Sequence, residues 1–343
     1  MAKKRLLYIS TNDGSDTRIN KEVNTLSQEF DVDFIGIGFE GKTFAKPYCK
    51  HFYLINGKRK SLWSWVKLIS KVYRLVLTSN YHSIHLINEH LLLAMYPLCI
   101  FKYTVVDLFD SFFLKISYRG WLVECIRRVL FFPTNKIVVT DHNRKSLMPS
   151  YTQKKVVVVE NYPQRVSFEK GKPSDKVILF YTGWMGSGRG TALVKALVET
   201  YDDVELWMAG WFADGITKEL AENSKVKYWG VITQSESLSL AALADYILCV
   251  YAPIHENNIN ASPNKIYDAI QVQTPVIINK EVKVAEFVKE HHLGIVIPKF
   301  DLESIDEFHN ELIAKKGTFI FHEALKENYC WEKIERKLVE CHV

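Results

Sequence analysis

The stretch 246–279 limits the fold more than any other part of the chain, because it joins two apolar strand patterns through one helical pattern. The run 246–251 is apolar, a polar loop follows, and a helical pattern opens at Ser262 and Pro263 before a second apolar run at 276–278. Serine is a favoured helix N-cap, and proline fits the first helical position. Strand, helix and strand in succession are the unit of a parallel sheet, so the stretch predicts an α/β protein.

One side of the predicted helix is polar and carries the groups that a nucleotide needs. Asn264, Asp268 and Gln271 recur at helical spacing, and Lys265 lies in the first turn. The N-terminus of a helix favours a phosphate, and a carboxylate one turn further in can accept from a ribose diol. A capped helix whose Lys265 and Asp268 pair on a solvated face explains the same residues. Spacing alone leaves both interpretations open.

A glycine-rich loop opens the second half of the chain. An apolar run ends at Gly183, and three further glycines surround Arg189 before a helical pattern begins at Thr191. A loop of this kind between a strand and a helix is a typical phosphate-binding turn, although the Gly-Lys-Ser/Thr of a Walker loop is absent. Because such loops are frequent, this one indicates a nucleotide site only in combination with the stretch 246–279.

The sequence resembles a known family at these same places. The run Ala-Ser-Pro-Asn-Lys-Ile-Tyr-Asp-Ala-Ile from Ala261, followed by Thr-Pro-Val-Ile from Thr274, resembles the donor-binding segment of GT-B glycosyltransferases. It is most similar to bacterial family 4 retaining enzymes that build surface polysaccharides. The resemblance extends over nearly the whole chain and implies the α/β GT-B fold, in which two Rossmann-like domains with parallel sheets face each other across a cleft.

The resemblance also implies a reaction and its partners. A sugar would be transferred with retention from a UDP- or GDP-linked donor to a hydroxyl group of a glycan or polyprenyl-linked acceptor, without a metal ion or another cofactor. Two alternatives stay open: a catalytically silent homologue that acts as a partner subunit, and a nucleotide-sugar epimerase of the same fold. The silent homologue is the stronger alternative, because Asn88, Trp184 and Asn260 depart from the family pattern.

The donor-side residues of the family correspond to particular positions of this chain. Two family glutamates, one for the donor sugar and one for the ribose, correspond to Asn260 and Asp268, which have the same spacing. Two basic residues that bind the diphosphate correspond to Trp184 and Arg189, so Lys265 is expected to supply the missing positive charge. The other donor-side candidates are Gly14, Gly183, Gly230, Val231, Ser262 and Asn264.

Candidates for catalysis follow predicted strands in the first half of the chain. Asn88, Glu89 and His90 lie at the carboxyl end of one strand and Asp110 at the end of the next, where doubly wound sheets bind ligands. By resemblance these residues contact the acceptor or the sugar. The alternative is that His90 has no part in catalysis and that Asp110 caps the next helix. Glu256 is the candidate to act in place of the missing first glutamate.

The length and one polar segment predict two domains. A chain of 343 residues is long for a single core. The segment 164–176 reads as the linker between an acceptor-binding domain of residues 1–165 and a nucleotide-sugar domain of residues 172–324. By resemblance, residues 325–343 pack back on the first domain. The apolar patterns predict six strands in the first half.

Charge, cysteines and hydropathy exclude several classes of protein. The net charge of +5 is mild and gives no indication of nucleic acid as a partner. The six cysteines lack paired spacing, which indicates reduced thiols rather than a disulfide frame or a zinc site. No signal-peptide pattern is present, and the longest apolar run, 91–101, is too short to span a bilayer. The sequence therefore predicts a cytoplasmic protein.

A basic segment in the first half predicts contact with a membrane. Residues 41–88 contain no acidic residue. Within them, the pattern of 61–78 predicts a helix with a polar stripe that runs from Ser64 to Thr78 and a wide apolar arc. Basic and aromatic side chains together are typical of docking on an anionic leaflet. A domain helix with a solvated basic stripe is the alternative. The predicted surface runs from Lys58 to Arg74, with Lys58, Arg59, Lys60 and either Trp63 or Trp65 in contact with the cytoplasmic leaflet.

Overall fold

The computed structural model describes residues 3–39, 44–109, 111–115, 120–168, 174–261 and 263–343. The chain forms two compact units, one of Met1–Asn161 with Ile334–Val343 and one of Tyr162–Lys333. Each unit is built on one parallel sheet, so the predicted α/β class is confirmed. No helix in the described ranges is long and apolar enough to cross a membrane.

The first unit contains a seven-stranded parallel sheet with the strand order β3-β2-β1-β4-β5-β6-β7. The runs of β1 and β4 are buried on both faces, which is why they lack the alternation of a half-exposed strand. The strands are β1 (Lys4–Ile9), β2 (Phe30–Gly38), β3 (His51–Asn56), β4 (Ser83–Ile87), β5 (Thr104–Leu108), β6 (Lys136–Val139) and β7 (Val156–Val158).

Helices cover both faces of this sheet. Because crossovers between parallel strands are right-handed, α1 lies on one face and the helices that lead from β3 towards β7 lie on the other. The helix α1 begins where the side chain of Asp16 accepts from the backbone N–H groups of Arg18 and Ile19. The helices are α1 (Thr17–Glu29), α2 (Leu62–Thr78), α3 (Asn88–Ala94), α4 (Tyr96–Phe101), α5 (Phe112–Lys115), α6 (Trp121–Phe131) and α7 (His142–Ser146).

The strand β3 is absent from the sequence prediction, which gave six strands instead of seven. Within the described residues it pairs with β2 alone, at the edge of the sheet, and its side chains are half-buried or exposed. A short edge strand has no continuous apolar run, so its pattern does not separate it from a loop. The strand predicted to end at Asp110 ends at Leu108.

The second unit contains a six-stranded parallel sheet with the order β10-β9-β8-β11-β12-β13. Its strands are β8 (Val177–Met185), β9 (Val204–Phe212), β10 (Val226–Tyr228), β11 (Tyr246–Leu248), β12 (Val276–Asn279) and β13 (Gly294–Ile297). Its helices are α8 (Thr191–Thr200), α9 (Gly215–Leu220), α10 (Gln234–Leu243), α11 (Glu256–Ile259), α12 (Asn264–Val272), α13 (Ala285–Glu290), α14 (Ile305–Lys315) and α15 (Glu323–Asn328).

The helix α12 begins one residue later than predicted. Pro263 has an extended conformation (φ −68°, ψ 129°), so it occupies the cap position rather than the first helical position. The predicted N-cap, Ser262, lies outside the described residues. Gln271 does not share the polar side with Asp268 as predicted, because it is buried and its Nε2 donates to the carbonyl oxygens of Lys326 and Tyr329. These bonds attach α12 to the end of α15.

The last helix, α16 (Trp331–Glu340), contributes its residues from Ile334 onwards to the first unit. There it packs beside α1: Thr25 Oγ1 donates to Glu335 Oε2 at 2.8 Å, and Arg336 forms an ion pair with Glu29 at 3.2 Å. Beyond the helix, His342 is fully buried in the core of this unit. The helices α1 and α16 therefore cover the same face of the first sheet.

Candidate functional site

The side chain of one tyrosine holds the loop after β8 through two hydrogen bonds. Tyr181 Oη accepts from the backbone N–H of Gly186 at 2.7 Å and donates to the Gly186 carbonyl oxygen at 3.0 Å. The backbone N–H of Ser187 donates to Asp214 Oδ2, and that of Arg189 donates to Gly186. Three amides of this glycine-rich loop are therefore used inside the second unit, and the charge that the loop offers to a ligand is the side chain of Arg189.

The carboxylate of Asp214 holds the same loop. Burial alone would raise its pKa, but hydrogen bonds from Thr217 and Ser187 hold the pKa of Asp214 well below its usual range. Asp214 also caps the N-terminus of α9 by accepting from the backbone N–H of Thr217 at 2.9 Å. Because Asp214 is ionised over the whole neutral range, it fixes the loop between β8 and α8 independently of pH.

The guanidinium group of Arg189 lies over an aromatic ring. Its Cζ atom is 3.7 Å from the ring centroid of Tyr251, which follows β11. Its Nη1 atom is buried and has no hydrogen-bond partner among the described residues. A buried guanidinium N–H without an acceptor is costly unless a ligand supplies the acceptor. Arg189 therefore presents an unused donor at the carboxyl edge of the second sheet.

Lys265 brings a second positive charge to the same place. It lies in the first turn of α12, and its Nζ is 5.8 Å from the ring centroid of Tyr181. Burial of the ammonium group and then the nearby charge of Arg189 lower the pKa of Lys265 to about 8, although Asp268 opposes the shift. Among the described residues, no carboxylate lies within ion-pair distance of Lys265. The structure thus places Arg189 and Asp268 close to Lys265.

The polar loop before α12 is partly used for its own structure. Asn260 is buried, and its Nδ2 donates to the Glu256 carbonyl oxygen at 2.8 Å, which closes the short helix α11. Its Oδ1 atom is also buried and has no hydrogen-bond partner within the described part of the chain. Asn260 can therefore offer its Oδ1 atom to a ligand as an acceptor. Glu256 and Asn264 lie on either side of it and are half-buried.

Exposed aromatic side chains surround the ends of β8, β9 and β10. Trp184 and Trp211 are register partners on neighbouring strands and are 62% and 53% exposed, and Trp229 after β10 is also exposed. Gly183 and Gly230 both have positive φ, and nothing lies within 4 Å of a Cβ added to either. Val231 follows Gly230 and is half-buried. The space beside these glycines is open to a flat ligand.

Sequence reasoning missed Tyr181, Tyr251 and Trp211. Tyr181 holds the loop, Tyr251 supports Arg189, and Trp211 extends the aromatic surface around Trp184. Each lies in or just after a buried strand, where an aromatic residue is usually part of the core. For Trp211 and Tyr251, only the position at the carboxyl end of a parallel strand, where ligands bind, would have singled out the residue.

In the first unit, the segment after β4 is conformationally unusual. Asn88 starts α3 with φ 65°, a left-handed conformation that few residues other than glycine adopt. Glu89 is buried, and its carboxylate accepts from Ser111 Oγ and from the backbone N–H of Phe112 at 3.1 Å. Burial raises the pKa of Glu89, although these hydrogen bonds oppose the shift. The carboxylate of Glu89 therefore holds the start of α5. Asp110, just before that helix in the sequence, lies outside the described residues.

The other two candidates of the first unit differ in their surroundings. His90 is exposed, and its ring lies edge-on to Trp65 of α2, with centroids 5.6 Å apart. Gly14 is buried with φ 87°, and a Cβ there would lie 3.3 Å from Ala45 and Phe52. Gly14 is therefore explained by packing of the turn after β1, whereas His90 is open to solvent.

The first unit also contains a cluster of buried charged side chains that was not predicted from the sequence. Arg18 of α1 forms ion pairs with Glu22 at 2.7 Å and Asp107 at 2.8 Å, and Tyr8 Oη donates to Glu22 at 2.7 Å. His85 stacks on Tyr8, with ring centroids 4.5 Å apart. Glu22, His85 and Asp107 lie close enough together to hold a metal ion. Arg18 already supplies the positive charge between the carboxylates, so the cluster is a buried ion-pair network.

Solved structures resemble this chain over nearly its whole length. A glycosyltransferase from Rickettsia africae has a TM-score of 0.72 at 14% identity and covers 99% of this chain and 98% of its own. Sucrose-phosphate synthase from Thermosynechococcus elongatus has a TM-score of 0.75 at 13% identity, with 98% of each chain covered. This chain has the GT-B fold. The fold expected from the resemblance is therefore confirmed.

A third GT-B structure contains a nucleotide. HepE of Anabaena in complex with UDP has a TM-score of 0.68 at 13% identity, and 98% of each chain is covered. No protein-family model matches the present sequence, and a search of curated proteins finds no match. Structure rather than sequence similarity thus connects this chain with the GT-B proteins.

Proposed function

We propose that this protein is a glycosyltransferase whose second unit binds a nucleotide-sugar donor. The observation that carries the proposal is the pair of cations at the carboxyl edge of the second sheet. Arg189 and Lys265 lie near each other, and neither forms an ion pair with a carboxylate of the described residues. Two such cations beside the N-terminus of α12 suit the diphosphate of a nucleotide-sugar.

Each residue of the site has a distinct part in the proposed reaction. Arg189 and Lys265 stabilise the negative charge that develops on the leaving diphosphate, so no metal ion is needed for that task. Asp268 accepts from the ribose diol, and the free Oδ1 of Asn260 accepts from a sugar hydroxyl group. The open space beside Gly230 and Val231 accommodates a flat base, uracil or guanine, and Trp184 flanks the donor in place of a second arginine.

The finer features of the reaction extend the family resemblance. The transfer retains the anomeric configuration, and the acceptor is a hydroxyl group of a glycan or of a polyprenyl-linked sugar in surface-polysaccharide synthesis at the cytoplasmic side. Asn88, His90 and Asp110 are the residues that would contact the acceptor, with His90 as the exposed group able to carry a proton. Glu256 would substitute for the glutamate that Asn260 replaces.

A donor panel tests the proposal and separates it from its alternatives. The purified protein is incubated with UDP- and GDP-sugars, and products are followed by NMR without and with a glycan acceptor. Release of free sugar and nucleotide, or transfer with the anomeric configuration retained, is the expected result. An epimerised sugar identifies an epimerase. Nucleotide binding without turnover identifies a silent partner subunit and rejects the enzyme.

An arginine variant tests the assignment of the site within the same panel. Arg189→Ala should weaken binding of UDP or GDP more than binding of the free nucleoside, because only the diphosphate contacts the guanidinium group. Lys195→Ala, on the solvated side of α8, is the matched control and should leave both affinities unchanged. Equal losses for nucleotide and nucleoside would remove Arg189 from the diphosphate site.

A further inference from the structure

The two helical layers of the first unit differ in the residues that they expose. On the face covered by α1 and α16, the exposed residues of both helices are polar or charged. On the opposite face, α2, α3, α4 and α6 expose large apolar side chains. These are Leu62, Trp63, Val66, Leu77, Leu93, Ile100, Phe101, Trp121, Leu122, Ile126, Val129 and Phe132, each more than two-fifths exposed. We call them the outer apolar face.

The outer apolar face is continuous from helix to helix. Trp65 of α2 contacts His90 of α3, with ring centroids 5.6 Å apart. Tyr96 Oη of α4 donates to the Val129 carbonyl oxygen of α6 at 2.8 Å. Since these helices all connect strands that run from β3 towards β7, they form one layer on one face of the sheet. Their outward sides therefore make a single surface.

The helix α6 contributes the most apolar part of this surface. Trp121, Cys125, Val129 and Phe132 follow one another at helical spacing and are exposed, with Leu122 and Ile126 beside them. Trp121 and Phe132 are 79% and 75% exposed. No charged residue interrupts this arc, whereas a helix that only covers a sheet needs apolar residues on its inner side alone. A soluble monomer rarely leaves so large an apolar patch open to water.

The charges around the outer apolar face are basic. Lys67, Arg74 and Arg128 are exposed on α2 and α6. Of the acidic residues in the described part of 44–140, Glu89 and Asp107 are buried, and Glu124 is the exposed one. Two copies of this chain joined through this face would therefore bring basic residues together with few acids to balance them. An anionic lipid surface has the complementary charge and accepts apolar side chains between its headgroups.

We propose that the outer apolar face docks the first unit on an anionic lipid bilayer, with Trp121, Val129 and Phe132 of α6 inserted between the headgroups. The surface is wider than the segment from Lys58 to Arg74 that the sequence predicts. Two residues assigned to the exposed side of that segment do not belong there. Ser64 is buried against Gly57 and does not belong to the exposed stripe. Trp65 is half-buried with its Nε1 donating to the Arg59 carbonyl oxygen, so Trp63 is the aromatic contact of α2.

Vesicle flotation with the full chain tests the proposal independently of sugar transfer. Binding is expected to vesicles of phosphatidylglycerol and phosphatidylcholine at low salt, to weaken at high salt, and to be small with phosphatidylcholine alone. Each substitution should lower partitioning about five-fold or more, since a basic residue near an anionic surface adds about that factor and glutamate reverses the charge. The charge variant is Lys67→Glu/Arg74→Glu/Arg128→Glu, compared with Lys58→Glu/Arg59→Glu/Lys60→Glu.

The apolar variant Trp121→Gln/Val129→Gln/Phe132→Gln should lower partitioning by about ten-fold or more, because each inserted side chain contributes by its buried apolar area. All three side chains are exposed, so the thermal midpoint should stay unchanged. The matched control is Ile216→Gln/Ile320→Gln, exposed apolar residues of the second unit, which should bind like the parent. Equal binding of parent and apolar variant, or a concentration-dependent dimer that the apolar variant abolishes, would overturn the proposal.

Discussion

The imidazole rings of His85 and His342 are hydrogen-bonded in the core of the first unit: His85 Nδ1 lies 3.0 Å from His342 Nε2, and both side chains are fully buried. His342 Nδ1 lies 2.9 Å from Ser83 Oγ on the other side. His342, two residues beyond the end of α16, is thereby tied to the start and the middle of β4. Because one neutral ring donates and the other accepts, the bond between the two rings needs no charge. The Nε2 atom of His85 is buried and has no hydrogen-bond partner among the described residues.

Removing His342 should destabilise the first unit. His342→Ala leaves the imidazole of His85 and the hydroxyl group of Ser83 without their partner, which costs about 1–3 kcal/mol for a buried polar group. Urea denaturation at neutral pH measures the loss. Val343→Ala, at an exposed neighbouring position, serves as the control and should be neutral. An unchanged midpoint for His342→Ala would mean that the bond contributes nothing.

The same pair should make stability depend on pH. Burial lowers the pKa of His85 to about 4 and that of His342 well below its usual value, with the neighbouring histidines adding to the second shift. The unfolded chain therefore binds more protons below about pH 6.5, and the stability contributed by the neutral rings is lost as the pH falls from there. The stability difference between the parent and His342→Gln should shrink from pH 7 to pH 5. Since His85 is present in both proteins, the difference reports on His342.

Gly190 should not tolerate a side chain. It precedes α8 with φ 87°, and a Cβ there would lie 3.2 Å from Val250 Cβ. Gly190→Ala should cost about 1–2 kcal/mol through the left-handed backbone and should also weaken nucleotide binding by moving Arg189. Gly215→Ala is the matched control, because nothing lies within 4 Å of its added Cβ and it starts a helix. That control should be neutral or slightly stabilising.

Nucleotide affinity should fall above about pH 8. The pKa of Lys265 is lowered to about 8 by burial and by Arg189, and a bound diphosphate would raise it again. Above pH 8 the free protein has lost that proton, so binding must take one up, and affinity should fall by up to about ten-fold per pH unit. Calorimetry with UDP and GDP between pH 7 and pH 9.5 in buffers of different ionisation enthalpy measures the proton uptake. Lys265→Gln should bind more weakly at pH 7 and lose this dependence.

Asp268 should contribute to binding through the ribose. Asp268→Ala removes a charged acceptor, and a lost hydrogen bond of this kind costs about 1.5–3 kcal/mol. The parent should bind the ribonucleotide more tightly than its 2′-deoxy form, whereas the variant should bind the two equally. Because the side chain is half-buried at the site edge, the unfolding midpoint should change little. A variant that keeps the preference for the ribonucleotide would exclude the ribose contact.

The sequence by itself determined the two parallel sheets and the positions of most elements. Strands buried on both faces leave continuous apolar runs, and the helix after Pro263 is marked by residues with strong local conformational preferences. The candidate residues Arg189, Lys265 and Asp268 were found in the same way, from a glycine loop and a helix N-terminus. The edge strand β3 left no such pattern, because its half-buried side chains do not alternate.

Only the tertiary structure decided which of these groups meet. The bond between His85 and His342 joins positions 257 residues apart, and no local period connects them. In the same way, packing rather than spacing placed Ser64 against Gly57, buried Glu89 beneath Ser111, and stacked Arg189 on Tyr251. Local sequence sets backbone conformation through sterics and capping, whereas these contacts depend on how distant strands and helices are stacked.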